Sequence, residues 1–155
     1  MSVIAVVDVG SNSIKVAVVA AADRRELGRR SEPVRLQPEG GPAEPFSPEA
    51  RAEAVAAIGR LLAFARSLGA TRCCVLATSA VREAPNGREF LQSVQEQLGL
   101  EVDLISGPEE ARLIYLGVLS GMAFGEQPHL ILDIGGGSTE LILADGRDAR
   151  ALTST

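Results

Sequence analysis

The sequence contains no tryptophan, one tyrosine and four phenylalanines. It therefore lacks the aromatic platforms on which bases of single-stranded nucleic acid stack. Positive charge is also short: Lys and Arg number 15 against 20 Asp and Glu, a net charge of -5, which argues against general nucleic-acid binding through a broad basic face. No apolar run approaches the ~20 residues of a membrane span. The N-terminus enters a strand with no basic region or cleavage site before it, so no signal peptide and a cytoplasmic location are expected. The two cysteines, Cys73 and Cys74, are adjacent in an apolar segment, which suits neither a disulfide framework nor a metal site; they are expected to be buried reduced thiols. The single histidine, His129, reads as a strand-edge residue rather than a catalyst.

What remains is ordinary globular material. At 155 residues, with 46% hydrophobic and 23% charged residues, the chain can bury one good core, since folding at this size removes roughly 70% of the unfolded surface. The most informative stretch runs from Leu130 to Leu143. An apolar strand ends in Asp133, the turn Gly135-Gly136-Gly137-Ser138 reverses the chain, and a second apolar strand carrying Glu140 leads back. Glycine tolerates positive φ and allows close approach of a ligand, and successive free N–H groups can form an anion-binding nest. A strand-end aspartate is placed to hold a cation, as in Mg²⁺ sites with few carboxylates. A tight glycine hairpin with no ligand is the alternative.

The pattern occurs twice. Val3 to Val19 repeats it as an apolar strand, Asp8-Val9-Gly10, the turn Ser11-Asn12-Ser13 and a second apolar strand, which suggests a duplicated architecture gripping a ligand from both sides. A third strand is expected around 32–36. The cluster Arg24, Arg25, Arg29 and Arg30 is read as a solvated hairpin end, and 37–48 as a loop. Ser47-Pro48-Glu49 opens a helix whose inward face carries Val55, Ile58, Leu61, Leu62 and Ala65 and which Gly69 closes. A buried strand at Cys73–Ala77 completes a strand-helix-strand order typical of an α/β layer.

Ligands gather outside the carboxyl ends of strands in such sheets, so 78–86 is a candidate site loop. Arg82 there could fork onto phosphate oxygens, or could be a surface arginine paired to Glu83 or Glu89. A helix over 88–98 and a strand over 102–105 follow. Ser106 and Glu109 form a capping box opening another helix, expected to run toward Gly125. Glu110 has no capping role; in a first turn it could serve only the helix dipole.

Four segments together, Asp8 to Ser13, Ala77 to Ala84 with Asn86, Ser106 to Gly117 and Asp133 to Glu140, resemble in order and spacing the exopolyphosphatase and guanosine pentaphosphate phosphohydrolase (Ppx/GppA) family. The resemblance implies an α/β fold with a mixed sheet flanked by helices, the ribonuclease-H-like domain of the actin, sugar-kinase and Hsp70 (ASKHA) superfamily, in which two such domains face each other across a phosphate cleft. It implies that Glu110 is the catalytic base activating water, that Asp133 and Glu140 are acids of a Mg²⁺ site with Asp8 a further candidate, and that Ser11, Asn12, Ser13, Arg82, Gly135, Gly136, Gly137 and Ser138 bind phosphate. The expected substrate is inorganic polyphosphate or guanosine pentaphosphate, with no membrane partner and a homodimer left open. An ATP-dependent kinase or ATPase of the same superfamily, and a non-enzymatic phosphate-sensing module, are the competing readings.

Family members are longer than this chain. Residues 1–124 read as a first domain and 125–155 as the opening hairpin of a second, so the chain is expected to be a fragment of a longer enzyme. Its lone hairpin should dock on the first domain, swap with a neighbour or remain poorly ordered.

Overall fold

A computed structural model of the chain describes residues 2–41, 43–125, 127–145 and 148–154. The chain forms two compact units, Met1–Leu104 and Ile105–Thr155.

In the first unit, β1 (Val3–Val9) pairs antiparallel with β2 (Ser13–Ala20), which pairs antiparallel with β3 (Glu26–Pro33). Helix α1 (Pro48–Ser67) returns the chain to β4 (Arg72–Ala77), parallel to β1. Two helices, α2 (Ser79–Glu83) and α3 (Gly87–Leu98), lead to a short parallel edge strand, β5 (Asp103–Leu104). The sheet order is β3-β2-β1-β4-β5, a mixed sheet of the ribonuclease-H-like, ASKHA type.

Period-two alternation puts Ala5, Val7 and Val9 of β1 and Ile14, Val16 and Val18 of β2 on one buried face. The α1 residues Val55, Ile58, Leu61 and Leu62 pack into the same core, together with Phe90 and Val94 of α3. Each fully buried side chain of this size contributes roughly 1.5–3 kcal/mol. Helix α1 begins where Ser47 Oγ accepts from the Ala50 N–H at 3.1 Å, and ends where Gly69 takes up φ +84°. Gly99, with φ +66°, ends α3 in the same way.

Three details depart from the expectations. β3 starts at Glu26, not at Glu32, because the chain reverses at once: the Ala20 N–H donates to Arg25 O at 2.9 Å and Arg24 adopts φ 57°. Val34 and Leu36, whose apolarity suggested a strand, lie beyond it and are buried as anchors of the following loop. The cysteines are not both buried. Consecutive strand residues face opposite sides, so Cys73 is half-buried against the core and Cys74 is exposed. The arginine cluster is a solvated hairpin end as expected, with Arg25 near Asp23, Arg29 on Glu26 and Arg30 on Glu32.

In the second unit, helix α4 (Gly107–Gly121) precedes a three-stranded antiparallel sheet of β6 (Pro128–Ile134), β7 (Thr139–Asp145) and β8 (Asp148–Ser154), in that order. The hairpin is therefore not alone. It gains β8 as a third strand, and one face is covered by α4, whose Ala111 and Tyr115 pack with Ile142 and Ala144 in a small core. Sequence reading grouped 105–124 with the first domain. Here α4 joins the second sheet, because three strands need an apolar cover and the Ala111, Ile114, Tyr115 stripe provides one. The helix stops at Gly121, short of Gly125.

The opposite face of this sheet is open. Leu130 is 64% exposed, Leu132 54% and Ile134 72%, and their cross-strand neighbours Leu141 and Leu143 are exposed beside them.

Candidate active site

Each aspartate at the end of a first hairpin strand is followed by a turn of the same build. The Gly10 N–H donates to Ser13 O at 3.2 Å, and the Gly135 N–H donates to Ser138 O at 2.9 Å. A Cβ on Gly10 would lie 3.1 Å from Ser13 O, and one on Gly135 would lie 3.2 Å from Ser138 O. Close approach of backbone to backbone thus explains these glycines. Positive φ does not: among the described residues, the glycines with positive φ are Gly41, Gly69 and Gly99.

The first turn is braced from behind. The Val34 N–H donates to Asn12 O at 3.1 Å, and the Leu36 and Gln37 N–H groups donate to Ser11 O at 3.0 and 3.2 Å. These bonds occupy the turn's carbonyls and bury Ser11 to 6% exposure. Among the described residues, the N–H groups of Ser11 and Asn12 have no acceptor, which is the donor-rich state of an anion nest. Asp8 is half-buried on β1 directly across from Lys15 of β2.

Arg82 lies at the same end of the sheet. β1 and β4 run parallel with Val9 beside Ala77, so the Ser11–Ser13 turn and α2 both leave from strand carboxyl ends. Its guanidinium is about a quarter exposed and stands 3.8 Å from Glu83. Glu89 is engaged by Arg51 at 2.7 Å.

In the second unit, Asp133 and Glu140 are directly opposed on β6 and β7, so both side chains stand on the face that α4 covers. Glu140 is 2% exposed. A carboxylate this buried is retained only where partners compensate its desolvation. Glu110 is half-buried in the first turn of α4. The capping box is half formed: Ser106 Oγ accepts from the Glu109 N–H at 3.3 Å, but the Glu109 carboxylate turns to Arg112, at 2.7 and 2.8 Å. The hydrogen bonds from Arg112 hold the Glu109 carboxyl below the usual range. His129 sits at the start of β6, its ring stacked 4.0 Å from Phe124, a packing role consistent with a strand-edge residue.

The structure thus gathers Asp8, Ser11, Asn12, Ser13 and Arg82 at one end of the first sheet. Asp133, Gly135, Gly136, Gly137, Ser138 and Glu140 share one hairpin of the second unit, with Glu110 on its covering helix. Among the described residues, no group of three or more His, Cys, Asp or Glu side chains could hold a metal ion. The Asp133–Glu140 pair fits the one or two carboxylates with which Mg²⁺ is usually bound, water and substrate oxygens completing its shell.

Sequence reasoning placed Asn86 in the candidate site loop but gave it no packing role. Its Oδ1 accepts from the Phe46 N–H and its Nδ2 donates to Phe46 O, both at 2.9 Å. The side chain replaces a strand partner for one loop residue and seats Phe46 edge-on against Phe90. Local sequence could not reveal a partner 40 residues away.

Comparison with known proteins fits this geometry. A protein from Photobacterium profundum described as guanosine-5'-triphosphate,3'-diphosphate pyrophosphatase is 36% identical over 152 residues, covering 97% of this chain and 30% of that protein. The crystal structure of an exopolyphosphatase from Cytophaga hutchinsonii superposes with a TM-score of 0.93 at 25% identity, over 99% of this chain and 50% of that one. The Aquifex aeolicus PPX-GPPA enzyme gives 0.83 at 27% identity, over 99% and 52%. The chain therefore spans about half the length of these solved relatives. The model of the Ppx/GppA phosphatase family matches residues 13–155, and with the paired aspartate turns in place the conclusion is direct: this chain belongs to the Ppx/GppA phosphatase family.

Proposed function

We propose that this chain is part of a cytoplasmic phosphoanhydride hydrolase that releases the terminal phosphate of inorganic polyphosphate or the 5′-phosphate of guanosine pentaphosphate. The observation that carries the reading is the duplicated turn, Asp8 to Ser13 and Asp133 to Ser138, each closed by the same Gly-to-Ser bond, in a member of a phosphatase family. Among the described residues, no helix is long and apolar enough to cross a membrane, which suits that location.

Phosphoryl transfer asks little covalent chemistry of a protein and much positioning and charge neutralisation. The N–H groups of Ser11 and Asn12, the Ser13 hydroxyl and the Arg82 guanidinium hold phosphate oxygens on the first unit; the Gly135–Ser138 turn does so on the second. Glu110 accepts a proton from water as the water oxygen bonds to the terminal phosphorus and the bridging P–O bond breaks. The shortened polyanion leaves with the bond's electron pair. Mg²⁺, when bound, supplies charge neutralisation, with Asp133 and Glu140 as its protein ligands and Asp8 a further candidate.

The test is phosphate release from long-chain polyphosphate and from guanosine pentaphosphate, with and without Mg²⁺, in the longest natural form of the protein and in its Glu110→Gln variant. The expected loss is about 10²–10⁴-fold, the usual worth of a general base, with substrate binding retained. Equal rates in both proteins would remove Glu110 from the mechanism, and no release from either substrate by folded protein would sink the hydrolase reading.

A further inference from the structure

The first sheet has a second feature of chemical interest, at its other end. A cavity of about 210 Å³ opens where the C-terminal turn of α1 meets the first residues of β4. Leu62 and Leu100 line it with three alanines, the Cys73 thiol stands at its wall, and Arg66, Thr71 and Arg72 supply its polar side. No acidic side chain lines it. Cys73 pairs with Ala5 in the sheet, five residues before Gly10, so about 16 Å of strand separates the cavity from the phosphate turn at ~3.3 Å per residue. The two cannot be parts of one subsite.

Three observations define what would fit. Arg66 and Arg72, like Arg24, Arg35 and Arg88, form no ion pair with any described residue, and of these five only Arg66 and Arg72 line the cavity. The last carbonyls of α1 do not turn toward the cavity as unmet acceptors, because Ala65 O accepts from the Leu68 and Ala70 N–H groups and Arg66 O from Gly69. Finally, a cavity of about 210 Å³ leaves room for a compact organic group.

We propose that this cavity binds a small organic anion, a carboxylate on a compact apolar body, with the Arg66 and Arg72 guanidiniums on the carboxylate and Leu62, Leu100 and Cys73 around the body. Arginine's planar fork matches a carboxylate bidentately, and the aliphatic wall provides the desolvated contact. Burial, and then the neighbouring Cys74, push the Cys73 thiol up while the charge of Arg66 opposes the rise, which puts the arginine within electrostatic reach of the thiol.

Benzoate is the probe, with benzyl alcohol as its uncharged counterpart. Backbone and methyl chemical shifts of the 155-residue chain are followed during titration with each, in the native sequence and in an Arg66→Gln/Arg72→Gln variant. Both arginines are exposed, so the variant should keep its fold, and its unperturbed shifts elsewhere verify that. Saturable benzoate shifts on Leu62, Cys73 and Leu100, with affinity reduced at least about tenfold in the variant, as the loss of charge-assisted hydrogen bonds requires, would establish the site. Absence of saturable shifts there, equal affinity for benzyl alcohol, or unchanged benzoate affinity in the variant would overturn it.

Discussion

Two alanine substitutions, chemically identical, should have opposite signs. Gly87 opens α3 directly after Asn86, and a Cβ placed on it would lie 2.0 Å from Val81 O and 3.1 Å from Val81 C. Both obstacles are backbone atoms of α2, so no rotamer change relieves them; α2 must move, and Arg82 moves with it. Overpacking of this kind costs about 1–3 kcal/mol, while the gain in helix propensity from Gly to Ala is at most ~1 kcal/mol and smaller in a first turn. Gly87→Ala should therefore be destabilising by about 1–2 kcal/mol. Gly59 is the control. It lies inside α1, and a Cβ there meets Leu98 Cδ2 at 3.6 Å, an ordinary contact. Gly59→Ala should be stabilising by about 0.5–1 kcal/mol. Urea denaturation of both variants gives midpoints on either side of the native one at unchanged slope. A Gly87→Ala midpoint at or above the native value would refute the reasoning, because propensity would then have outweighed a collision with backbone.

Asn86→Ala removes both bonds to Phe46 and leaves part-buried backbone groups without partners; a loss of about 1–3 kcal/mol in the same denaturation assay is expected. The Glu109–Arg112 pair has a definite pH sign. Glu109's folded-state pKa is lowered by the arginine's hydrogen bonds, so what the pair contributes is present above the ordinary carboxylate pKa and disappears as pH falls through the lowered one. NMR titration of the Glu109 carboxyl should show its midpoint rise in Arg112→Ala. The open face of the second sheet should drive association of this chain: sedimentation should show concentration-dependent self-association that Leu130→Glu/Leu132→Glu reduces, with far-UV circular dichroism unchanged. A monomer at all concentrations before substitution would contradict that expectation.

The elements legible in the sequence were those whose local signals agree. The β1–β2 and β6–β7 hairpins combine apolar runs with a glycine turn, and α1 has a cap, a first-turn proline and a closing glycine. The register that sets Asp133 opposite Glu140 came from the structure. β8 was illegible because Asp148–Ser154 has neither alternation nor a β-branched run; pairing with β7 makes it a strand. The start of α4 was legible from its cap, but local signals do not say which sheet its apolar face covers. Val34 and Leu36 misled for the same reason, being apolar as anchors of a loop. In the candidate site, turn residues and acids were readable as local chemistry, whereas the Asn86–Phe46 clasp was not, since it joins residues far apart in the chain.

The three N–H groups of Val34, Leu36 and Gln37 that hold the back of the first turn also decide when its entropy is lost. Fixing the backbone costs roughly 1–2 kcal/mol per residue, and at Ser11 and Asn12 that cost is met when the protein folds. If the turn holds phosphate as proposed, the anion finds its donors already aligned, and its binding carries little penalty for ordering the loop. Any change that loosens the 34–37 segment would transfer that cost to binding, weakening affinity without altering a donor that faces the anion.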